Sequence, residues 1–178
     1  MPLSASTPAL PSMWLPAVRT IGVLVALLAT ALTLSACGPA TPKFKGSDVT
    51  GSAFGRDFAL VDVDGKPRTL ADYRGKAVVL FFGYTQCPDV CPTTLATMRD
   101  TLKLLGDDAA RVRVLFVTLD PARDTPELLA AYVPLFDPSF IGLRGDYAAI
   151  AMLAKDFKVF YVKQPGTTPD NYSIDHST

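Results

Sequence analysis

The segment AVVLFF at residues 77–82 is an unbroken apolar run of β-forming side chains. A strand that is apolar on both faces is typical of the interior of a sheet that is covered on both sides. The run leads directly into GYTQCPDVCPTT at residues 83–94, which contains two cysteines, and then into a helical pattern. A buried strand, a cysteine turn and a helix are therefore expected at the centre of the fold.

Other segments extend this pattern to a whole domain. Further strands are predicted at residues 57–63, 67–70, 112–119 and 158–162, with a hairpin turn at Asp64-Gly65. Helices are predicted after the cysteine turn as far as Gly106, from an entry at residues 124–127, and over residues 146–156. The order ββ, β, α, β, α, α, β predicts an α/β domain with a mainly parallel central sheet.

The rest of the domain carries weaker signals. The second helix is expected to bury Leu128, Leu129, Tyr132, Val133 and Phe136. Residues 140–143 form a short apolar piece, residues 164–171 are predicted as a loop, and residues 172–178 as a loop about to enter a strand. Because no further strand follows in the sequence, we expect the sheet to lack one.

The composition limits the possible functions. The chain has 178 residues, of which 49% are hydrophobic, enough for the core of one domain. Lysine and arginine number 17 and aspartate and glutamate also number 17, so the formal net charge is zero. No basic run is present in the sequence, and nucleic-acid binding is therefore excluded.

The first 36 residues have the character of an export signal. They contain no acidic residue and one basic residue, Arg19, followed by an apolar run at residues 21–34 that is too short to span a bilayer comfortably. The run ends in LSACG, and small residues before a cysteine resemble the lipobox of bacterial lipoproteins. We predict a lipoprotein signal peptide over residues 1–36 and lipidation of Cys37. The alternatives are an ordinary signal peptide and an anchor helix with an incidental cysteine.

This prediction divides the chain into three parts. Residues 37–55 are rich in Pro, Gly, Ser and Thr and are expected to form a flexible membrane tether. Residues 56–178 are expected to form the folded domain. The protein is expected to be lipid-anchored to the bacterial cell membrane, with this domain facing the periplasm or extracytoplasmic space, where disulfides can form.

Cys87 and Cys91 are the two cysteines of the predicted domain, and each is followed by a proline. Cys87 lies between a buried strand and a helix, where unpaired N–H groups at the helix start favour a thiolate over a thiol. Either Pro88 or Pro92 can take the first helical position, so the segment is a fixed bend. Three interpretations stay open: a disulfide that staples the turn, a redox pair, and a metal site.

His176 is the single histidine of the chain and a candidate third ligand. Two thiolates suit copper(I), and an added imidazole makes a site that can also hold copper(II). A structural zinc site is disfavoured because it usually takes four ligands, and the domain offers no further cysteine. The neighbouring Asp175 is expected to orient the imidazole or tune its charge.

Three segments, in the same order along the chain, resemble the Sco/SenC family of copper chaperones. They are FGYTQCPDVCP at residues 82–92, LDPARDTP at residues 119–126 and DHS at residues 175–177. The resemblance implies a thioredoxin-like fold that binds one copper, as Cu(I), Cu(II) or both. It assigns the ligands to Cys87, Cys91 and His176. Asp120 matches a family aspartate near the site.

The resemblance also implies the function of a metallochaperone, not an enzyme. The expected partners are a copper donor protein and the apo form of the cytochrome c oxidase subunit that carries the CuA centre. The main alternative is a thiol–disulfide reductase that keeps the cysteines of this subunit reduced; a peroxidase-like or redox-sensing role is weaker. Family members normally continue past the histidine segment, so this chain is expected to lack a C-terminal strand and helix.

The lipidation prediction can be checked by intact and peptide mass spectrometry of the protein extracted from bacterial membranes. We expect an N-terminus at Cys37 that carries a diacylglyceryl group, because lipobox cleavage places the modified cysteine first. Recovery of residues 1–36 still attached to the domain would contradict the prediction.

Overall fold

A computed structural model describes Gly22, residues 45–168 and residues 170–177. The chain divides into two units, residues 1–49 and 50–178. Of the first unit the structure describes Gly22 and residues 45–49, so Cys37 and, apart from Gly22, the predicted signal peptide lie outside the described residues. Within the described part of the chain, no helix has the length and apolar character needed to cross a membrane.

The second unit is built on a five-stranded sheet with the order β2-β1-β5-β4-β3. The strands are β1 (Ala59–Asp62), β2 (Pro67–Thr69), β3 (Ala77–Gly83), β4 (Val112–Thr118) and β5 (Ile141–Arg144). Strand β4 pairs in parallel with β3 and β5, whereas β1 pairs antiparallel with both β2 and β5. The prediction of a mainly parallel sheet is therefore corrected to a mixed sheet, because the β1–β2 hairpin joins it in the opposite direction.

Three α-helices connect and cover the strands: α1 (Val90–Leu105), α2 (Pro126–Tyr132) and α3 (Tyr147–Asp156). Short 3-10 turns occupy Leu70–Tyr73, Gly106–Arg111 and Val133–Leu135. Thr125 caps α2 by accepting a hydrogen bond from the Leu128 N–H at 3.2 Å, and Pro126 takes the first helical position. Gly106 ends α1 with a φ of 56°, as the sequence predicted.

A separate two-stranded hairpin, β6 (Tyr161–Thr168) and β7 (Asn171–His176), follows α3. The loop predicted at residues 164–171 and the loop predicted at 172–178 are wrong over most of their length, since both are strand. The strand predicted from residue 158 begins instead at Tyr161. Lys158 has a φ of 59° and the Val159 N–H donates to the Ala154 carbonyl at 2.8 Å, so this segment caps α3.

The two faces of the sheet carry separate apolar clusters because side chains alternate along each strand. On one face, Val114 and Phe116 of β4 pack with buried residues of α1 and α2. On the other face, Leu115 and Val117 pack with buried residues of α3. The predicted burial of Leu128 is wrong, since 38% of this residue is exposed. The inward face of α2 is centred on Leu129, which is fully buried.

The last residue of β3, Gly83, is a point of close packing beneath the cysteine turn. A Cβ at this position would lie 2.9 Å from Cys91 Sγ and 2.9 Å from Phe116 Cε2. Both neighbours are fully buried, so neither can move away without disturbing the core. Glycine at this position therefore allows the helix that carries Cys91 to approach the strand.

We expect Gly83→Ala to lower the free energy of unfolding by about 1–3 kcal/mol, the usual cost of overpacking a core. Urea denaturation of the full chain measures this change. Gly46→Ala is the matched control, since nothing lies within 4 Å of a Cβ at that position. Equal stability of the two variants would contradict the close packing described above.

Candidate metal centre

The cysteine turn begins where β3 ends and closes at the start of α1. Asp89 is the N-cap residue, so Pro88 lies in the turn and Pro92 in the first turn of the helix. A proline is tolerated there because the first backbone N–H groups of a helix have no partner within the helix. Val90 takes the first helical position, so the prediction that Pro88 or Pro92 would take it is wrong.

The two cysteines are free thiols held in contact by the backbone. The Cys91 N–H donates to Cys87 Sγ at 3.4 Å, so the first sulfur accepts from the start of α1. The Cys87 N–H in turn donates to the Tyr84 carbonyl at 3.2 Å and tightens the bend. Cys91 is completely buried, whereas Cys87 is partly exposed. One sulfur can therefore meet another molecule and the other is shielded.

His176, on the last strand of the hairpin, faces this pair. Its Nε2 lies 3.5 Å from Cys91 Sγ, and Nδ1 lies 3.4 Å from the Ser177 carbonyl. The imidazole ring stands edge-on to Phe81 and Tyr84, with ring centroids 6.4 Å and 6.3 Å away. The imidazole thus lies between two aromatic rings with Nε2 on the side of the sulfur.

The three side chains form a group with the geometry of a metal site. One ligand atom from each of Cys87, Cys91 and His176 lies within 4.8 Å of the other two. Bonds of about 2.0–2.3 Å from nitrogen and sulfur to a first-row metal ion would place such donors about 3.5–4 Å apart. The donors are therefore spaced for one ion after small shifts, and the soft sulfur ligands suit copper(I).

The buried position of Cys91 opposes its ionisation. Burial, together with the neighbouring Cys87 and against a lowering by the backbone of Tyr84, raises the pKa of the Cys91 thiol to about 12. A bound cation replaces the thiol proton, so the metal supplies the positive charge that makes a thiolate stable there.

A groove of about 390 Å³ opens beside the group. Its walls come from the cysteine turn on one side, including Cys87 and Val90, and from residues 173–176 of β7 on the other. The side chain of Val90 is 53% exposed on this rim. Cys87 and His176 can therefore be reached from solvent through the gap between the turn and the hairpin, whereas Cys91 is shielded.

Asp120, the predicted supporting aspartate, lies in the turn after β4. Its carboxylate is buried, pairs with the Arg123 guanidinium and accepts a hydrogen bond from the Tyr172 hydroxyl at 2.7 Å. Burial, followed by the interaction with Asp120, raises the pKa of Tyr172 to about 12, so this hydroxyl stays a donor. The Asp120 carboxylate is thus connected to the metal group through Tyr172, which lies on the same strand, β7, as His176.

Asp175 is placed away from the imidazole that it was expected to orient. Its exposed carboxylate accepts a hydrogen bond from Gln164 Nε2 at 2.7 Å across the hairpin. Successive residues of a strand point to opposite faces, so Asp175 and His176 cannot share one. Among the contacts of the described residues, none joins the two side chains.

Sequence reasoning did not single out three residues that shape the site: Tyr84, Arg123 and Asp124. The fully buried Asp124 accepts hydrogen bonds from the Thr85 N–H at 3.1 Å and the Thr85 hydroxyl at 2.6 Å, which hold the cysteine turn. Its burial raises the pKa of this carboxyl group. All three residues lie within the segments that resemble the Sco/SenC family. Their position in those segments was the one feature of the sequence that could have indicated a role at the site.

Comparison with known proteins identifies close relatives of this chain. A family model described as SCO1/SenC matches residues 47–178. An SCO2-like protein of Rickettsia felis is 39% identical over 125 residues, which are 70% of this chain and 61% of that protein. The chain spans about half the length of the curated relatives that it matches.

Solved structures agree with this result. The structure of Bradyrhizobium japonicum ScoI with copper bound is 42% identical, with a TM-score of 0.66, and the match covers 70% of this chain and 79% of that one. A SCO1/SenC family lipoprotein from Bacillus anthracis is 30% identical, with a TM-score of 0.59, over 69% of this chain and 73% of that one. The α/β fold is thus shared with a relative solved with copper bound and with a relative described as a lipoprotein.

The unequal exposure of the two sulfurs can be checked by brief treatment of the reduced full chain with iodoacetamide at pH 8, followed by peptide mass mapping. We expect Cys87 to be modified first, since Cys91 is buried and its pKa is about 12. The rate at Cys91 should rise as the pH approaches that value. Urea-unfolded protein, the control, should react similarly at both cysteines; equal rates in the folded protein would contradict this account.

Proposed function

Because this chain belongs to the SCO1/SenC family, we propose that it is a copper chaperone that helps to assemble the CuA centre of cytochrome c oxidase. The ion is its cargo, one per domain, and is held by Cys87, Cys91 and His176. The observation that carries the proposal is the convergence of these three donors within 4.8 Å at the end of a groove open to solvent.

The donor set favours copper over the other common metals. Two thiolates bind copper(I) well, and the imidazole nitrogen extends the site to copper(II). Zinc in structural sites usually takes four protein ligands, and the group formed by the described residues offers three. A site with three protein ligands also leaves a position on the ion for a ligand from another molecule. A protein that transfers its metal needs such a position.

In this function the metal moves by exchange of ligands. A ligand of the copper donor or of the apo CuA-bearing subunit enters the groove and binds the ion before Cys87, the more exposed cysteine, releases it. Binding through two thiolates releases their protons, and the affinity therefore falls as the pH decreases.

The redox state of the pair controls loading. Oxidation of Cys87 and Cys91 to a disulfide, with loss of two electrons and two protons to an acceptor, removes both sulfur ligands. We place the protein at the bacterial cell membrane, lipid-anchored through Cys37, with the domain in the periplasm or extracytoplasmic space. There a thiol pair is exposed to oxidation, so copper loading requires that the pair be kept reduced.

A second function uses the same sulfurs. The contact between the Cys91 N–H and Cys87 Sγ keeps both thiols in reach of one another, as a dithiol reductase requires. The Cys87 thiolate would attack a disulfide of the apo oxidase subunit, and Cys91 would then displace the reduced target and form the intramolecular disulfide. This reaction reduces the target at the expense of the pair, and His176 contributes no bond to it.

His176→Ala separates the two functions. We expect the variant to lose copper(II) affinity by at least tenfold, roughly the loss of 1.4 kcal/mol or more expected on removal of a metal ligand. It should keep its thiol–disulfide exchange with an apo CuA domain. Copper(II) titration, copper(I) competition with a chelator, and a thiol assay of the CuA domain measure the three properties on the full chain.

Asp175→Asn is the matched control, since its carboxylate contacts Gln164 and not the imidazole. Its copper affinity should stay close to that of the wild type. Copper(II) affinity unchanged in His176→Ala would remove this residue from the ligand set. Loss of thiol exchange together with copper binding would argue against two separable functions.

A further inference from the structure

The strand that carries His176 is not part of the main sheet. In the described part of the chain, β7 pairs with β6 alone, and the hairpin forms its own two-stranded sheet. The cysteines, in contrast, are held by the end of β3 and the start of α1. The two halves of the metal site thus belong to two separate pieces of structure, and something must set the distance between them.

Along the edge of β7 that does not pair with β6, side chains of the domain form hydrogen bonds with the backbone of the strand. The Ile174 N–H donates to the Tyr84 hydroxyl at 3.2 Å. Two residues earlier on the same edge, the Tyr172 carbonyl accepts from Arg123 Nη1 at 2.9 Å, and the Asp170 carbonyl accepts from it at 3.2 Å. The hairpin is therefore attached both through these backbone contacts and through the side chains of Tyr172 and Ile174, which are buried in the same apolar cluster as Tyr84.

Arg123 contacts both halves of the site at once. Besides the two carbonyls of the hairpin, Nη1 lies 3.0 Å from Gln86 Oε1, so its two hydrogens are shared among three acceptors; Gln86 directly precedes Cys87. The guanidinium also lies over the Tyr172 ring, 3.5 Å from the ring centroid. One planar cation thus spans the interval between the residue before the first sulfur ligand and the strand that carries the imidazole.

The orientation of Arg123 is itself fixed. Its Nε pairs with the Asp120 carboxylate, which is buried and is held on its other oxygen by the Tyr172 hydroxyl at 2.7 Å. The side chain of Arg123 is 13% exposed. A guanidinium presents donors on three nitrogens in one rigid plane, so it can bind a carboxylate on one side and carbonyl groups on the other. The ammonium of lysine has three donors on a single atom and cannot span the same distance in a fixed orientation.

We propose that Arg123 is a positioning residue of the metal centre, whose guanidinium joins the cysteine turn to the histidine strand and so sets the separation of the sulfur and nitrogen donors. The inference rests on the proposed function in one respect, since it takes His176 as a ligand. The proposal assigns the Asp120–Arg123 pair a role that could not be predicted from the spacing of the ligands or from the family resemblance.

Arg123→Lys is the variant that tests this inference, because it keeps the charge opposite Asp120 but removes the planar set of donors. Arg68→Lys is the matched control: Arg68 Nη2 lies 2.7 Å from the buried Asp62 carboxylate, in the β1–β2 hairpin and away from the metal group. Both variants place a lysine in a buried ion pair, so a general loss of stability affects both and can be compared by thermal unfolding.

The single histidine provides a direct readout in the metal-free, reduced full chain. With isotope-labelled histidine, the wild type should give one sharp set of imidazole NMR signals. In Arg123→Lys we expect these signals to shift toward those of an exposed histidine and to broaden. Arg68→Lys should leave them unchanged. A purely structural role for Arg123 would lower the unfolding midpoint without moving the histidine signals of the folded protein.

Copper provides the second readout. We expect Arg123→Lys to weaken copper(II) binding by roughly 10- to 100-fold, the usual effect of losing a residue that orients a metal ligand. Copper(I) binding, which depends mainly on the two sulfurs, should change little. Gln86→Ala removes only the contact with the cysteine turn, on an exposed side chain, and should give a smaller change of the same kind even if Arg123→Lys does not fold.

Unchanged histidine signals and unchanged copper(II) affinity in the folded Arg123→Lys or Gln86→Ala protein would overturn the proposal. If His176→Ala showed that the imidazole is not a ligand, the proposed ligand set would fail. The NMR comparison of metal-free proteins would still decide whether Arg123 positions the histidine strand.

Discussion

The parallel pairing of β3 with β4 places the functional groups of this domain side by side. It runs without a break from Ala77 opposite Val112 to Gly83 opposite Thr118. Parallel strands end at the same edge of the sheet, so the cysteine turn and the turn that holds Asp120 leave it together. The Leu119 N–H donates to the Gly83 carbonyl at 2.7 Å and extends the contact beyond the last strand pair.

From this edge the site is built in two parts. Cys91 lies in the first turn of α1 and is buried against Gly83, whereas His176 is carried by a hairpin that adds no strand to the main sheet. The Asp120–Arg123 pair lies between these two parts, and Arg123 contacts both of them.

Most of the main sheet and its helices could be predicted from local signals, because apolar runs, caps and turn residues act over a few positions. The hairpin could not. Pro165 and Gly166 in β6 are typical of loops, and this segment becomes strand because β7 pairs with it and packs on the domain. Lys163 lies over the Tyr172 ring, with Nζ 3.3 Å from the centroid, a contact between two residues that no local pattern connects.

The sequence by itself determined the candidate ligands and the bend between a buried strand and a helix. Residue type and short spacing specify Cys87 and Cys91, and His176 follows as the single histidine of the chain and from the family resemblance. The tertiary structure alone decided which groups meet. Strand alternation turned Asp175 away from the imidazole, burial raised the pKa of Cys91, and Arg123 came to lie between the turn and the hairpin. These outcomes depend on contacts between residues distant in the chain, and such contacts are set by packing and not by local pattern.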